Sequence, residues 1–406
     1  MGKKRVFRFA GTDELVGVSD ADEVIEHLPA VFPYWPIQEL EDTGSATVLD
    51  IAREKGKYRF SVFGQNIGKA QRDALNAACI LVAELAWARL RHEPDLLCFH
   101  GAAVEIGDGL VLFPNRRRAG KSTLTACLAR RGAHVFTDDY LPRTLGEDGR
   151  FYGIANGVAP RLRLPIPEGF SAELASWIEN NPGPLNKQYK YLSLGADDLA
   201  RHGARLPVTS VVLLDRQDDP VQPGLTDVGS ATVLRRLIVQ NFSRSMNPAR
   251  ILALVGRLVD TSNCLSLTYS SADEAADHLL GNARHFKKRP LAEGDTLALP
   301  PEKYDFFQDS GVFVAGQRYI RNPETHEQLR EGGAFVASPN GPGLHFLEGV
   351  ALGIWNLYRE PVLIGEVVDI LAGAFPDQDR DQIAIEAELA VRFLAEQGLI
   401  VPQEEA

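Results

Sequence analysis

A Gly-Lys-Ser-Thr run in the first third of the chain has the residue types of a phosphate-binding loop. It lies in the segment "LVLFPNRRRAGKSTL", residues 110–124. Gly120 lets the backbone N–H groups turn toward a phosphate. Lys121 can reach the β- and γ-phosphates of a nucleoside triphosphate, and the Ser122 hydroxyl can ligate Mg²⁺. The run therefore predicts a nucleotide site, the alternative being a surface turn before an ordinary helix.

The start of this loop departs from the general pattern Gly-x-x-x-x-Gly-Lys-Ser/Thr. Asn115 stands where that pattern has its first glycine, and the three arginines of residues 116–118 follow it. Asparagine tolerates a positive φ better than most residues, so the turn can survive. The arginines either form a solvated variant of the loop or add positive charge over the phosphates. We expect the nucleotide to contact Asn115, Arg118, Ala119, Gly120, Lys121, Ser122 and Thr123.

Two adjacent aspartates, Asp138 and Asp139, follow the loop at the distance of about one helix. A carboxylate at this place can hold Mg²⁺ directly or through water. A second carboxylate beside it can accept the proton of a hydroxyl nucleophile. An Asp-Asp pair is often only a helix cap or a solvated turn, but its position after the loop favours the functional interpretation.

The elements around these residues are predicted in the order of a phosphate-binding unit: strand, glycine-rich turn, helix, strand. "LCFHGAAVEI" and "GLVLFP" predict two strands around a Gly-Asp-Gly turn. A helix is expected over residues 121–131, with Gly132 as its left-handed cap, and "AHVFTDD" predicts a buried strand. Short strands are expected up to about residue 70. Further elements are helices at 73–91, 234–242 and 248–259 and strands at "VTSVVLLD" and "NCLSLTYS".

The segment 98–140 closely resembles the HPr kinase/phosphorylase family, and more so its HPr-kinase-related branch found near modified-peptide gene clusters. The matching positions are His100-Gly101, Ala119-Gly120-Lys121-Ser122, Arg131-Gly132 and Asp138-Asp139. The resemblance extends over about residues 75–280, with strong motifs only in 98–140. It implies a phosphoenolpyruvate-carboxykinase-like P-loop fold. It also implies phosphorylation of a serine hydroxyl by ATP, or another nucleoside triphosphate, with Mg²⁺.

The same resemblance implies roles for the site residues. Asp138 is then the proton-accepting base, His100 orients or polarises the site, and Lys121 acts on the transferred phosphate. Ser122 and Asp139 are then the Mg²⁺ ligands. Which of the two aspartates is the base is left open by the sequence.

Two departures from that family are visible. Its Ser-Gly just inside the loop is replaced by the arginine run, and the glutamate segment that ligates Mg²⁺ in true HPr kinases has no clear match. "GVAPRLRLP" stands there instead, with Arg161 and Arg163 alternating on an expected strand. These arginines either clamp a phosphate or an acidic peptide, or are surface charges. The HPr-kinase-related branch has a lysine in a place similar to that of Lys187, so the resemblance implies that Lys187 contacts the γ-phosphate or the substrate.

The last hundred residues have a different pattern. After a polar linker, residues 285–303, "GVFVAG" and "GAFVASP" predict strands, and three amphipathic helices follow. The first helix is marked by Phe346, Val350, Ile354 and Leu357. A small hairpin followed by three short helices is winged-helix-like.

Residues 304–402 resemble the PqqD-like family, also known as the RiPP recognition element. The features are Leu347-Glu348-Gly349, Ile354-Trp355 and the terminal Gln397-Gly398-Leu399-Ile400. The resemblance implies that a precursor peptide's leader binds as an added strand on the sheet edge, beside the third helix. A winged-helix DNA-binding module is the alternative. The third helix is acidic, with Asp381, Glu386, Glu388 and Glu396, whereas a helix in the major groove normally carries Arg or Lys.

The composition limits the class of partner and compartment. The 54 acidic and 43 basic residues give a net charge of −11, which argues against nucleic acid as a partner. The four cysteines are far apart and form no CxxC pair, which suggests a reducing cytosol. No apolar segment reaches the ~20 residues of a membrane span. We therefore expect a cytoplasmic protein without nucleic-acid or membrane partners.

Taken together, the patterns predict an α/β P-loop domain with a small N-terminal α+β region and a C-terminal winged-helix-like PqqD domain. The predicted segments are residues 1–74, 75–284, 285–303 and 304–406. The predicted function is a Ser/Thr kinase acting on a precursor peptide, and a homo-oligomer is one expectation, because the kinase family it resembles forms oligomers. Two alternatives stay open: a small-molecule kinase with a regulatory tail, and a non-catalytic, nucleotide-gated peptide chaperone. An ABC-type ATPase and a eukaryotic-type protein kinase lack their signature motifs here.

Overall fold

The protein is a mixed α/β chain with several sheets, and it divides into two compact units in this computed structural model. The structure describes residues 4–41, 46–93, 95–114, 118–166, 170–243, 246–291, 297–300, 313–338 and 343–403. The first unit comprises Met1–Val228, Val239–Ser243 and Leu258–Asp295. The second comprises Gly229–Ile238, Arg244–Arg257 and Thr296–Ala406.

The boundaries of these two units differ from those of the four predicted segments. Residues 1–74 share a unit with the phosphate loop, and parts of the two helices expected at 234–242 and 248–259 group with the C-terminal residues. The two units are defined by spatial compactness, whereas the four predicted segments are defined by sequence pattern. The division into these four segments therefore stays a prediction.

The first unit begins with a six-stranded sheet of order β3-β1-β2-β4-β5-β6 within the described residues. Its β2 and β4 run parallel, and the other neighbours are antiparallel. Helix α2 buries Leu75, Leu81 and Leu85 in the same core as strand residues such as Phe9 and Ile51. The elements are β1 Arg5–Phe9, β2 Leu15–Ser19, α1 Asp22–Val31, β3 Ile37–Leu40, β4 Leu49–Glu54, β5 Lys57–Val62, β6 Gln65–Gln71 and α2 Ala74–His92.

The elements that follow carry the phosphate loop. They are β7 Leu97–His100, β8 Ala102–Ile106, β9 Gly109–Phe113, α3 Lys121–Arg130, β10 Val135–Thr137, β11 Tyr140–Leu145, β12 Phe151–Ile154, β13 Arg161–Arg163, α4 Ala172–Asn180, β14 Pro182–Leu185, β15 Tyr189–Leu192, β16 Arg205–Arg216, β17 Gly224–Asp227, α5 Ser230–Gln240, α6 Pro248–Thr261, β18 Asn263–Tyr269 and α7 Ala272–Gly281. A 3₁₀ turn, Ala283–Phe286, ends this series.

Nine of these strands form one sheet in the described part of the chain. Seven follow the order β10-β8-β9-β16-β12-β11-β7, and β18 pairs with β16 and β17. β9, β16 and β18 run parallel, so their carboxyl ends lie at one edge of the sheet. Every residue of β9 is buried, as expected of a strand with packing on both faces. A separate small sheet has the order β13-β15-β14.

The second unit contains two small sheets and three helices in its C-terminal part. The elements are β19 Tyr319–Arg321, β20 His326–Arg330, β21 Gly333–Ala337, β22 Leu344–Leu347, α8 Gly349–Leu357, α9 Ile364–Ala374, α10 Arg380–Glu396 and β23 Ile400–Pro402. The sheets are β20-β21-β22 and β19-β23. Trp355, Val336, Leu371 and Val391 belong to one buried apolar cluster. The Glu331 carboxylate, in the β20–β21 turn, accepts hydrogen bonds from the start of α5.

Most predicted elements are confirmed, including α2, the β8–β9 hairpin, α3 and the three C-terminal helices. Gly132 has φ +82°, as its predicted capping role requires. "LCFHGAAVEI" was expected as one strand and is two, β7 and β8, interrupted at Gly101. A side chain there would approach the carbonyl oxygen of Phe113 to 2.9 Å, so the chain passes too closely for any residue but glycine.

Two predictions for the C-terminal part are wrong. Residues 313–316 of "GVFVAG" are not a strand. The next strand in the described residues begins at Tyr319. Phe346 lies in β22 rather than in a helix, since α8 begins only at Gly349. Phe346 pairs with Phe335 of β21. This sheet pairing outweighs the helical spacing that Phe346 shares with Val350.

Candidate phosphate-binding site

The described part of the phosphate loop has the geometry that its sequence predicts. Gly120 immediately precedes α3 and has φ +85°, in the left-handed region that favours glycine. A side chain at this position would come within 2.4 Å of the Tyr269 hydroxyl. That hydroxyl donates a hydrogen bond to the Ala119 carbonyl at 3.2 Å, so β18 holds the loop in place. Asn115 and the first two arginines lie outside the described residues.

Lys121, Ser122 and Thr123 form the first turn of α3 and face one large cleft. The N-terminus of a helix presents free backbone N–H groups and a partial positive charge, which suit a bound phosphate. Lys121 is only 8% exposed. A buried ammonium at this place adds a full positive charge close to the loop N–H groups.

Asp138 lies beside this turn and is almost completely buried, at 7% exposure. Its Oδ2 accepts a hydrogen bond from the backbone N–H of Arg161 at 3.1 Å. Its Oδ1 is buried and receives no hydrogen bond from the described residues. Burial raises the pKa of Asp138 to about 6, although the Ser122 hydroxyl, the Arg161 N–H and the Lys121 charge oppose that shift.

Asp139 has the opposite character. Its Oδ1 lies 3.3 Å from Nδ1 of His100. Burial alone would raise the pKa of Asp139, but the hydrogen bond with His100 and the charges of Arg161 and Lys121 outweigh it, and the pKa is lowered. The sheet produces this contact, because Tyr140 of β11 pairs with His100 of β7 and the Gly101 N–H donates to the Asp139 carbonyl at 2.9 Å.

The cleft that contains these residues has a volume of about 950 Å³. That is within the range of ~300–1,000 Å³ found for small-molecule sites. Among the described residues, five cationic and three carboxylate side chains line it, a local excess of positive charge in a chain of net charge −11. The cations are Arg118, Lys121, Arg161, Arg163 and Arg216, and the carboxylates are Glu84, Asp138 and Asp139. Such a lining favours an anionic ligand.

Of the three predicted substrate residues, Arg161 and Arg163 line the cleft and Lys187 does not. Arg161 and Arg163 both line the cleft, and their guanidinium carbons lie 4.5 and 5.6 Å from the ring centre of Tyr189. Arg161 also donates from Nη1 to the Cys79 thiol at 3.0 Å. Lys187 is exposed and is not among the residues that line the cleft. The structure therefore brings two of these three residues together with the loop.

Four cleft residues were not predicted from the sequence. Asn76, Cys79 and Glu84 of α2 line one side, and Arg216 at the end of β16 lines another. Burial raises the pKa of Glu84. The sequence signal for α2 was limited to the polar pair Asn76 and Glu84 in the apolar first part of the helix, because residues eight apart share a helix face. Nothing in the sequence around Arg216 pointed to the loop.

The oxygen donors around the loop suit Mg²⁺ only as a partial ligand set. Among the described residues no group of three or more His, Cys, Asp and Glu side chains converges as a metal site. Mg²⁺ often takes only one or two protein carboxylates and completes its octahedron with water and substrate phosphates. The Ser122 hydroxyl and the Asp139 carboxylate, which line one cleft, fit such a partial set, because the lowered pKa of Asp139 keeps that carboxylate ionised.

The solved structures that resemble this chain include a kinase/phosphatase with a weak overall similarity. No family model and no curated protein matches the sequence. The HPr(Ser) kinase/phosphatase from Coxiella burnetii aligns with 46% of this chain and 95% of its own chain, at 14% sequence identity and a TM-score of 0.23. A TM-score of 0.23 shows too little shared structure to transfer a fold or an activity. The assignment of the site therefore rests on its geometry.

Proposed function

We propose that the protein is a phosphotransferase that moves the γ-phosphate of a nucleoside triphosphate to a Ser or Thr hydroxyl of a ribosomally made precursor peptide. One observation carries the proposal. The buried Oδ1 of Asp138 receives no hydrogen bond from the described residues, and Asp138 lines the same cleft as the Gly120-Lys121-Ser122 turn. A phosphate cradle beside an unpartnered proton acceptor is the minimum equipment for transfer to a hydroxyl.

The residues divide the chemical work. The N–H groups at the start of α3 and the Lys121 ammonium stabilise the negative charge on the transferring phosphoryl group. Asp138 accepts the proton of the attacking hydroxyl, and a pKa of about 6 leaves it mostly ionised at neutral pH yet basic enough to take a proton. Asp139, paired with His100, keeps its negative charge.

ATP and Mg²⁺ are the proposed donor and cofactor. When bound, Mg²⁺ neutralises charge on the phosphates. Ser122 and Asp139 would hold it, because the lowered pKa of Asp139 keeps that carboxylate ionised. Arg118, Arg161 and Arg163 also line the cleft, and we propose them as contacts of the donor or of an acidic acceptor.

The peptide part of the proposal rests on the second unit. Helix α10 exposes three large apolar side chains at a spacing of four residues, Ile385, Leu389 and Phe393. Phe393 meets the His345 ring of β22 edge-on at 5.1 Å, so this apolar stripe lies beside that strand. In the described part of the chain β22 pairs only with β21, and its other edge offers backbone groups to an added strand. We propose that the leader peptide binds there as an extended strand.

A fused recognition module would raise the effective concentration of a weakly bound acceptor at the cleft. The proposal places the reaction in the cytoplasm, in line with four cysteines that are all free thiols. No helix of the described chain combines the length and the apolarity needed to cross a membrane.

The test is phosphorylation followed by mass spectrometry. The protein is incubated with ATP, Mg²⁺ and candidate precursor peptides encoded next to its gene. We expect a gain of one phosphoryl group that disappears with Asp138→Asn. The control is Asp197→Asn, an exposed aspartate outside the cleft, which should phosphorylate as the wild type does.

The same assay separates the two other functions. Phosphorylation of a free small molecule, with the peptides unchanged, would indicate a small-molecule kinase with a regulatory tail. Tight peptide binding without a change of mass at any nucleotide would overturn the kinase proposal in favour of a nucleotide-gated chaperone.

A further inference from the structure

A second, smaller cavity adjoins the phosphate loop in the first unit. Its volume is about 170 Å³. That is below the ~300–1,000 Å³ of sites that enclose a whole small ligand, so it suits one part of a larger molecule. Gly120, Thr123, Phe170 and Arg216 line both this cavity and the large cleft. A ligand with its phosphates on the loop can therefore extend into it.

The position of the small cavity follows from the sheet. It is lined by Arg216, the last residue of β16, and by Tyr269 to Ala272, where β18 ends and α7 begins. β9, which leads into the phosphate loop, runs parallel to β16, and β16 runs parallel to β18. The cavity thus lies outside the carboxyl ends of parallel strands, where ligands bind in open α/β sheets.

The walls offer apolar surface and a planar cation to a flat aromatic group, beside the polar side chains of Ser270 and Ser271. Phe170 and Leu174 supply apolar surface, and both pack in the core that includes Tyr269. The Arg216 guanidinium is a planar cation of the kind that stacks on aromatic faces. The acidic residue of the lining, Asp273, is already engaged by Ser171, Arg130 and Arg131.

We propose that this small cavity binds the base of the donor nucleotide, with its plane against Phe170 and Arg216, while the phosphates occupy the loop. The inference rests on the proposed phosphotransferase function. It identifies the donor as a nucleotide recognised through its base, rather than an inorganic polyphosphate held by the loop alone. Thr123 lies at the junction of the two cavities, where the phosphate chain meets the nucleoside.

The test compares binding of ATP, GTP and inorganic tripolyphosphate by calorimetry on the full chain with Mg²⁺. The informative variant is Ala272→Leu, which adds side-chain volume to the cavity without touching the phosphate loop. Its matched control is Ala172→Leu. Both alanines follow a serine N-cap as the first residue of a helix, but Ala172 is exposed and lines neither cavity.

We expect the wild type to bind ATP or GTP at least tenfold more tightly than tripolyphosphate. Ala272→Leu should abolish that difference and leave tripolyphosphate binding unchanged, which also shows that the variant is folded. Ala172→Leu should bind all three ligands as the wild type does.

Two results would overturn the inference while leaving the phosphate site intact. One is equal affinity of the wild type for nucleotides and tripolyphosphate. The other is an Ala272→Leu protein that keeps full nucleotide affinity or loses only peptide binding. Failure of the wild type to bind tripolyphosphate and nucleotides alike would overturn the proposed function as well.

Discussion

The phosphate cleft of the first unit and the apolar stripe of α10 in the second unit use burial in opposite ways. In the cleft, polar groups are withdrawn from water: Asp138 is 7% exposed and one of its oxygens has no hydrogen bond from the described residues. On α10, apolar groups are left in water: Leu389 is 63% exposed. Each arrangement costs free energy in the isolated chain. At each place a bound ligand or partner can offset this free-energy cost, by pairing the buried polar groups or by covering the exposed apolar side chains.

The difference indicates different kinds of ligand. A buried carboxylate with an oxygen that accepts no hydrogen bond from the described residues is stabilised by a bound proton or cation. The surrounding cations are stabilised by a bound anion. Both are supplied when a phosphate group is transferred from a nucleotide to a hydroxyl. An exposed apolar stripe beside a strand edge gains from a segment of chain that brings both apolar side chains and backbone groups. The comparison therefore predicts that the two regions respond to different substitutions.

The largest expected effect is in the cleft. Lys121→Met should lower the rate of phosphate transfer by about 10²–10³-fold, because it removes a fixed positive charge at the transferring group. Lys187→Met is the control, since that lysine is exposed and outside the cleft. Steady-state kinetics with saturating peptide measure both. Equal rates for the two variants would contradict the assignment of Lys121.

The second effect is on stability and has a pH dependence. Folding raises the pKa of Asp138 from 3.8 to about 6, so the native state loses about 3 kcal/mol of stability as the pH rises through this window. Asp138→Asn removes that loss. It should therefore be more stable than the wild type at pH 8, by up to about 3 kcal/mol, and show little difference near pH 4.

The neighbouring Asp139 contributes a pH dependence of stability with the opposite sign. The pKa of Asp139 is lowered in the folded state, so its stabilising contribution is present above the unfolded pKa and is lost as the pH falls. Asp139→Asn should be less stable than the wild type at pH 8. Urea unfolding at pH 8 and pH 4 measures both variants. A shift of the same sign for both at pH 8 would show that the two carboxyls do not differ as described.

The third effect belongs to the apolar stripe. Leu389→Glu should weaken binding of a labelled precursor peptide by about 10- to 100-fold, because a carboxylate replaces an apolar anchor. Folding should be unaffected, since the side chain is exposed. Leu329→Glu is matched in chemistry and nearly so in exposure, at 62%, but it lies on β20, at the other edge of the sheet. Fluorescence anisotropy should separate the two, and equal weakening would place the leader elsewhere.

The smallest effect tests the packing of the loop. Gly120→Ala and Gly132→Ala both put alanine at a φ above +80°, which costs about 1–2 kcal/mol each. Only Gly120 also meets the Tyr269 hydroxyl at 2.4 Å, whereas nothing lies within 4 Å of a side chain at Gly132. Gly120→Ala should therefore cost about 1 kcal/mol more. Thermal unfolding of the same variant in a Tyr269→Phe background should recover that excess, and a persistent excess would place its cause elsewhere.

The local motif predicted the part of the site that is contiguous in sequence. The strand, loop, helix and strand around Gly120 follow from hydrophobic pattern and from glycine, and they were expected in the correct order. The contributions of Asn76, Glu84 and Arg216 could not be predicted, because they come from elements 36 to 96 residues away from Gly120 in the chain. Such residues are brought to the cleft only by helix and sheet packing.

The second unit shows the same division. Periodicity located α9 and α10 correctly, but the spacing from Phe346 to Val350 fitted a helix equally well, and only pairing with β21 made Phe346 part of a strand. The exposure of Leu389 was also beyond the sequence. An apolar residue at helical spacing is usually core, and the core of this unit is filled by Trp355, Val391 and their neighbours instead.

The sequence by itself determined which residue types stand at the phosphate loop and that two carboxylates follow it. It did not distinguish those carboxylates, since Asp138 and Asp139 are adjacent and chemically identical. The tertiary structure decided the difference. At the turn between β10 and β11, one side chain is buried beside Ser122 and the N–H of Arg161, and the other meets His100 of β7. Burial raises the pKa of Asp138, the hydrogen bond with His100 lowers the pKa of Asp139, and neither environment exists before the sheet has formed.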